Sequence, residues 1–173
     1  MQLGRLYFFT ATIHDWIPLL GKRDFKEIIL ASLGYLVDKK YMKVYGFVIM
    51  PNHVHLILEN IKLNGRENPS ASLLKFTGHR FLKKLMQESP DFLHEFKVNQ
   101  VNKTYEFWQR DSLAVELYSP NVVYQKLEYI HNNPCQKKWM LSFDPISYPY
   151  SSFNFYETNS DSFGFLSHIG ERL

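Results

Sequence analysis

The run "KVYGFVIMPNHVHLILEN", residues 43–60, decides the fold. Its two halves, "KVYGFVIM" and "HVHLILEN", are apolar and β-branched at the density of strands. Pro51 and Asn52 between them mark a turn, so the stretch reads as a β-hairpin. Side chains alternate along a strand, which sets His53 and His55 on one face and Val54 and Leu56 on the other. Two imidazoles therefore share a patch inside an apolar arm. The spacing alone is open between two hydrogen-bonded histidines on a half-buried face and two metal ligands, for which a divalent ion would need a third donor.

Working outward, "RLYFFTATI" before the hairpin is dense enough in aromatic and β-branched residues for a strand over about 6–13, with Thr10 and Thr12 opposite Phe9 and Ala11. Between the two, residues 23–40 place Phe25, Ile29, Leu33 and Leu36 on one helical stripe, with Asp24 and Glu27 at capping-box spacing. After an Asn, Gly and Pro-rich loop at 60–70, residues 71–89 form a second helix with Leu74, Phe81 and Leu85 on one side. A broken strand signal spans 104–119. Ser119 and Pro120 then start a third helix, which Pro134 ends. The order strand, helix, hairpin, helix, strand, helix is that of an α+β, ferredoxin-like sandwich: a four-stranded antiparallel sheet, helices packed on one face, and a C-terminal extension.

A chain of 173 residues with 45% hydrophobic side chains is long enough for one domain with a real core, so residues 1–173 are read as one unit with about 157–173 as a peripheral tail. No apolar run reaches the roughly 18–20 residues that span a bilayer. The lone Cys135 excludes an internal disulfide, and no secretion-type pattern opens the chain, so a cytoplasmic location and no membrane partner are expected. A formal charge of +3 leans towards a polyanionic partner without requiring one.

The third helix adds chemistry to the histidine pair. At about 100° per residue, Val123, Leu127 and Ile130 form its core stripe, and Val122, Lys126, Tyr129 and Asn133 an adjacent one. A carboxamide oxygen suits a hard cation such as Mg²⁺ or Mn²⁺, and a phenol one turn away could act on whatever that cation polarises. A tyrosine at the core edge beside a helix-ending asparagine would look the same. His131, two residues from Tyr129, is expected to point elsewhere, towards the surface or a nucleic acid.

Together, "GFVIMPNHVHLIL" and "LEYIHNNP" resemble the HUH (histidine-hydrophobic-histidine) single-tyrosine transposases, in particular their REP-associated tyrosine transposase branch. "FWQRD" and "YPYSSF" resemble the W-Q-R and W-S-S-Y blocks of the same family, so the resemblance runs from about residue 6 to 156. It departs at "NPCQKKW", where relatives commonly read N-P-V-R-A-G, and at Tyr150, where the usual residue is tryptophan. The resemblance implies a Mg²⁺ or Mn²⁺ ion held by His53, His55 and Asn133, with Tyr129 as the nucleophile. It also implies cleavage and joining of single-stranded or hairpin DNA through a 5′-phosphotyrosine. Family members differ in oligomeric state, which leaves a homodimer open.

For the DNA backbone, the second helix offers Lys75, Arg80, Lys83 and Lys84 beside His79, although a solvated helix face has the same pattern. Arg110, next to Trp108 and Gln109, and Lys126, one turn before Tyr129, complete the candidate DNA-contacting set. Two other readings stand beside strand transfer: a hairpin-DNA-binding module with little or no transposition, and a metal hydrolase that uses bound water and needs no tyrosine.

Overall fold

Strand β1 (Leu6–Thr12) lies at the middle of the ladder, because it pairs antiparallel on both sides. Leu6 opposes Glu59 and Thr12 opposes His53 across to β3 (His53–Asn60), and Tyr7 to Thr10 oppose Glu116 to Leu113 across to β6 (Leu113–Glu116). The hairpin partner β2 (Met42–Ile49) completes the sheet in the order β2-β3-β1-β6, with a bulge between Val44 and Gly46. This computed structural model describes residues 1–173.

Burial on both faces explains why β3 reads as nearly continuous hydrophobicity and not as an alternation; all its residues are buried. On one face, Phe9, Ala11, Phe47, Val54, Leu56 and Leu58 pack beneath α1 (Arg23–Asp38) and α2 (Pro69–Glu88). Phe25, Ile29, Leu33 and Leu36 of α1 are buried there, with Leu73, Phe81 and Leu85 of α2. On the other face, Leu6, Phe8, Tyr45, Val48 and Ile57 meet Val123, Leu127 and Ile130 of α4 (Pro120–Asn132). Each of those three aliphatic side chains stabilises the docking by about 1.5–3 kcal/mol.

Between α2 and β6 lie a short helix, α3 (Pro90–Leu93), and a separate two-stranded ribbon of β4 (Lys97–Gln100) and β5 (Lys103–Tyr105), in the stretch where periodicity is weakest. Trp108 is core: its Nε1 donates to Thr77 Oγ1 at 2.9 Å. The last helix is α5 (Phe153–Thr158).

The α+β sandwich with a four-stranded antiparallel sheet follows the element order, and three details differ. Packing of helices on one face holds for α1 and α2; α4 covers the opposite face, because its Val123, Leu127 and Ile130 stripe meets the β1 and β2 side chains that alternate away from α1. The Asp24–Glu27 capping box does not form: Lys22 is the N-cap, Asp24 pairs with Lys84 at 2.9 Å, and Glu27 lies 3.5 Å from Arg23. Residues 157–173 are more than a peripheral tail, since Phe165 and Ile169 are buried in the two clusters and Ser167 N donates to Val44 O at 3.0 Å. With the Val48–Ser151 bridge, and Phe47 N donating to Ser152 Oγ at 2.9 Å, the C-terminal segment covers the free edge of β2.

Candidate active site on the α4 face of the sheet

Strand alternation turns His53 and His55 towards α4, and their ring centroids lie 4.7 Å apart. Each imidazole is tethered through Nδ1. Asn52 Nδ2 donates to the Trp16 carbonyl at 3.1 Å, which leaves Asn52 Oδ1 to accept from His53 Nδ1 at 2.8 Å. His55 Nδ1 lies 2.8 Å from Thr10 Oγ1, and Phe8 stacks on the same ring with centroids 5.2 Å apart and planes 23° apart. Neither Nε2 has a protein partner, so both remain free for a further ligand.

Burial holds both imidazoles neutral. His53 is lowered to about 4 by burial and then by the charge of Lys138; His55 is lowered to about 3 by burial, then by His53 and Lys126. A neutral imidazole with a free nitrogen is the form that binds metal.

Helix α4 brings the Tyr129 ring against His55. The Tyr129 ring centroid is 5.4 Å from His55 and 6.0 Å from Phe8, and the residue is 41% exposed, open to a substrate. Docking this close depends on Gly46, where an added Cβ would come within 2.7 Å of Leu127 Cδ1. One turn beyond Tyr129, Asn133 is 2% exposed and its Oδ1 is buried without a hydrogen-bond partner. An orphaned buried acceptor is unfavourable unless something else satisfies it, and a cation is one such partner. No cluster of three His, Cys, Asp or Glu side chains exists, so a cation held at His53 and His55 would need a different third donor. A carboxamide oxygen fits that need.

Of the six basic residues read as DNA contacts, Lys126 lies at the site, its Nζ 5.0 Å from the Phe8 ring and 5.8 Å from the Tyr129 ring. Lys75, Arg80, Lys83 and Lys84 belong to α2, across the sheet from the histidines. Lys75 pairs with Glu67 at 2.7 Å, and Lys84 with Glu88 at 2.7 Å and Asp24 at 2.9 Å. Arg110 bonds Glu106 and Gln100 beside the β4–β5 ribbon. His131 is corrected from surface to core: it is buried, its Nε2 is 2.9 Å from Ser152 Oγ, and burial lowers it to about 4.

The structure adds Thr10, Asn52, Phe8, Trp16, Lys138 and Trp139 to the site. Alternation along β1 places Phe8 and Thr10 on the histidine face, and Asn52 directly precedes His53. Trp16 has no comparable signal, because it arrives through two consecutive left-handed residues, Asp15 and Trp16, at φ 51° and 58°.

No family model matches the chain, and no curated protein matches it by sequence. Among solved structures, the fold is similar to that of a REP-associated tyrosine transposase bound to a REP hairpin. The TM-score is 0.62 at 14% identity, over 97% of this chain and 88% of that one. The likeness spans nearly the whole chain, and at that identity it is a likeness of fold.

Proposed function

We propose that this protein cleaves and rejoins single-stranded DNA at hairpins, with Tyr129 as nucleophile and a Mg²⁺ or Mn²⁺ ion held by His53, His55 and Asn133. The observation that carries the reading is the set of tethered, neutral imidazoles with free Nε2 atoms lying beneath an exposed tyrosine. The orphaned Asn133 Oδ1 supports the third ligand, and the shared fold with a hairpin-bound transposase supports the substrate class.

When bound, the cation would draw charge from the phosphate and lower its resistance to attack. Tyr129 Oη attacks phosphorus, forming a P–Oη bond as the P–O3′ bond breaks. The phosphate stays on the 5′ oxygen of the downstream strand as a 5′-phosphotyrosine, and the upstream strand is left with a free 3′ hydroxyl. The departing 3′ oxygen gains a proton and the phenol loses one, both exchanged with water. Lys126, unpaired with any carboxylate and next to the phenol ring, offsets negative charge as the phenolate forms. Attack by a 3′ hydroxyl on the phosphotyrosine reverses these steps and joins strands. Asn52 and Thr10 fix the His53 and His55 rings, so that their Nε2 atoms would hold the cation in a constant position.

Denaturing electrophoresis after incubation with Mg²⁺ or Mn²⁺ and hairpin oligonucleotides tests the reading. Wild type is expected to form a protein–DNA adduct and Tyr129→Phe none. Cleavage that survives in Tyr129→Phe would instead indicate hydrolysis by metal-bound water. Tight binding by wild type without any adduct would indicate a binding module.

A further inference from the structure

Three groups lie next to His53 that the proposed cleavage does not use: Trp16, Trp139 and Lys138. Trp16 is 54% exposed, an unusual position for the largest apolar side chain. It is not a loose loop residue. Ile13 N donates to Asn52 O at 2.8 Å, His14 N donates to Phe107 O at 2.8 Å, and the Trp16 carbonyl accepts from Asn52 Nδ2 at 3.1 Å. The consecutive left-handed residues Asp15 and Trp16, rare for a side chain this bulky, turn the backbone there.

The indole is held in a charged setting. Its centroid is 6.4 Å from that of His53, and His53 is 5.4 Å from that of Trp139. Lys138 Nζ bridges the two indoles, 5.7 Å from the Trp16 ring and 5.3 Å from the Trp139 ring, and makes no salt bridge. An exposed aromatic face with an unneutralised ammonium beside it combines the two elements that bind unpaired nucleotides: a stacking surface for the base and a charge for its phosphate.

We propose that Trp16 and Lys138 form a docking point for one unpaired nucleotide next to the phosphate handled at Tyr129, the base stacking on the indole and its phosphate meeting the ammonium. This rests on the single-stranded DNA reading above and specifies how the flank of a hairpin is held. Asn52 gives the arrangement its register, since one carboxamide anchors both the Trp16 backbone and the His53 ring. Stacking tolerates any base, so this point positions the strand and leaves sequence choice to other contacts.

Two fluorescein-labelled hairpins with the same stem test it, one with an oligothymidine flank and the other with an abasic flank of equal length. Both carry the same phosphates, so the difference in affinity reads stacking. By fluorescence anisotropy, the wild-type chain is expected to bind the thymidine flank about tenfold more tightly. Trp16→Ala should erase that preference while leaving affinity for the abasic hairpin within about twofold. Trp16→Phe, which keeps a ring, should retain most of it. Of the three tryptophans, Trp108 is buried, so Trp139→Phe leaves Trp16 as the accessible fluorophore, and its emission should be quenched by the thymidine flank alone. Equal binding of the two hairpins by wild type, or a preference unchanged in a folded Trp16→Ala, would overturn the docking point and leave the hairpin reading standing. Failure of wild type to bind either hairpin would overturn the hairpin reading and the docking point with it.

Discussion

Thr10 Oγ1 lies 2.8 Å from His55 Nδ1 across a rung of the β1–β3 ladder on which the two residues are directly paired. The hydroxyl orients the ring and commits Nδ1, so Nε2 is the nitrogen presented to the site. Thr10→Val keeps the β-branched shape and removes the partner. Mn²⁺ affinity, measured by isothermal titration calorimetry, is expected to fall about 10–100-fold. Stability should drop by about 1–3 kcal/mol, because a buried ring nitrogen loses its hydrogen bond. Unchanged affinity would remove the Thr10 tether from the proposed metal site.

Gly46 sets how closely α4 approaches the sheet. A methyl group there would meet Leu127 Cδ1 at 2.7 Å, and Leu127 is itself buried, so it has little room to move. Gly46→Ala is expected to destabilise the fold by about 1–2 kcal/mol in urea unfolding, overpacking outweighing the backbone-entropy gain. Because Tyr129 is carried on the same helix, adduct formation should fall by more than the lost folded fraction explains.

Three buried histidines make the fold acid-sensitive. His53 and His131 are lowered to about 4 and His55 to about 3, from an ordinary value of 6.5. As pH falls below 6.5 the unfolded chain takes up these protons before the folded one does. Stability is therefore complete above about pH 6.5 and is lost progressively towards pH 4, by up to about 1.4 kcal/mol per pH unit for each histidine. His131→Ala tests the assignment away from the proposed ligands. The variant should be weaker at pH 7, having lost the Ser152 partner and the contacts with Phe153 and Tyr156, and its stability should decline less steeply between pH 6.5 and 4.

The hairpin, the helices and the core stripes were legible because burial imposes periods of 2 and 3.6 on the sequence, and Phe25, Ile29, Leu33, Val123, Leu127 and Ile130 all follow them. The pairing of His53 with His55 was legible for the same reason. Which face each helix covers was not, since an apolar stripe marks a buried side without naming the surface that buries it. His131 shows that limit: it stands off the Val123–Leu127–Ile130 stripe and is buried by residues 151–156, a segment with no periodic signal of its own. Trp16 was hidden for a different reason, because local left-handed backbone geometry places it.

The basic side chains separate into two groups that titrations with salt can tell apart. Lys126 makes no salt bridge and sits at the phenol, whereas Lys75 is already paired with Glu67 at 2.7 Å on the far face. Lys126→Ala is expected to weaken hairpin binding and to lower the slope of log affinity against log salt by about one. Lys75→Ala should change both much less. The reverse ranking would relocate the DNA to the α2 face.

The two faces of the sheet are not equally anchored. The cluster beneath α1 and α2 contains 24 buried residues, against 12 beneath α4. Tyr129 and Asn133 ride on the less anchored side, while His53 and His55 belong to the central sheet. Local opening of the smaller cluster would part Tyr129, the proposed nucleophile, from the histidines and leave most secondary structure in place. Heat inactivation should therefore set in several degrees below the melting transition seen by circular dichroism, and recover on cooling. Hydrogen exchange should find the amides of α4 opening at lower free energy than those of β1 and β3.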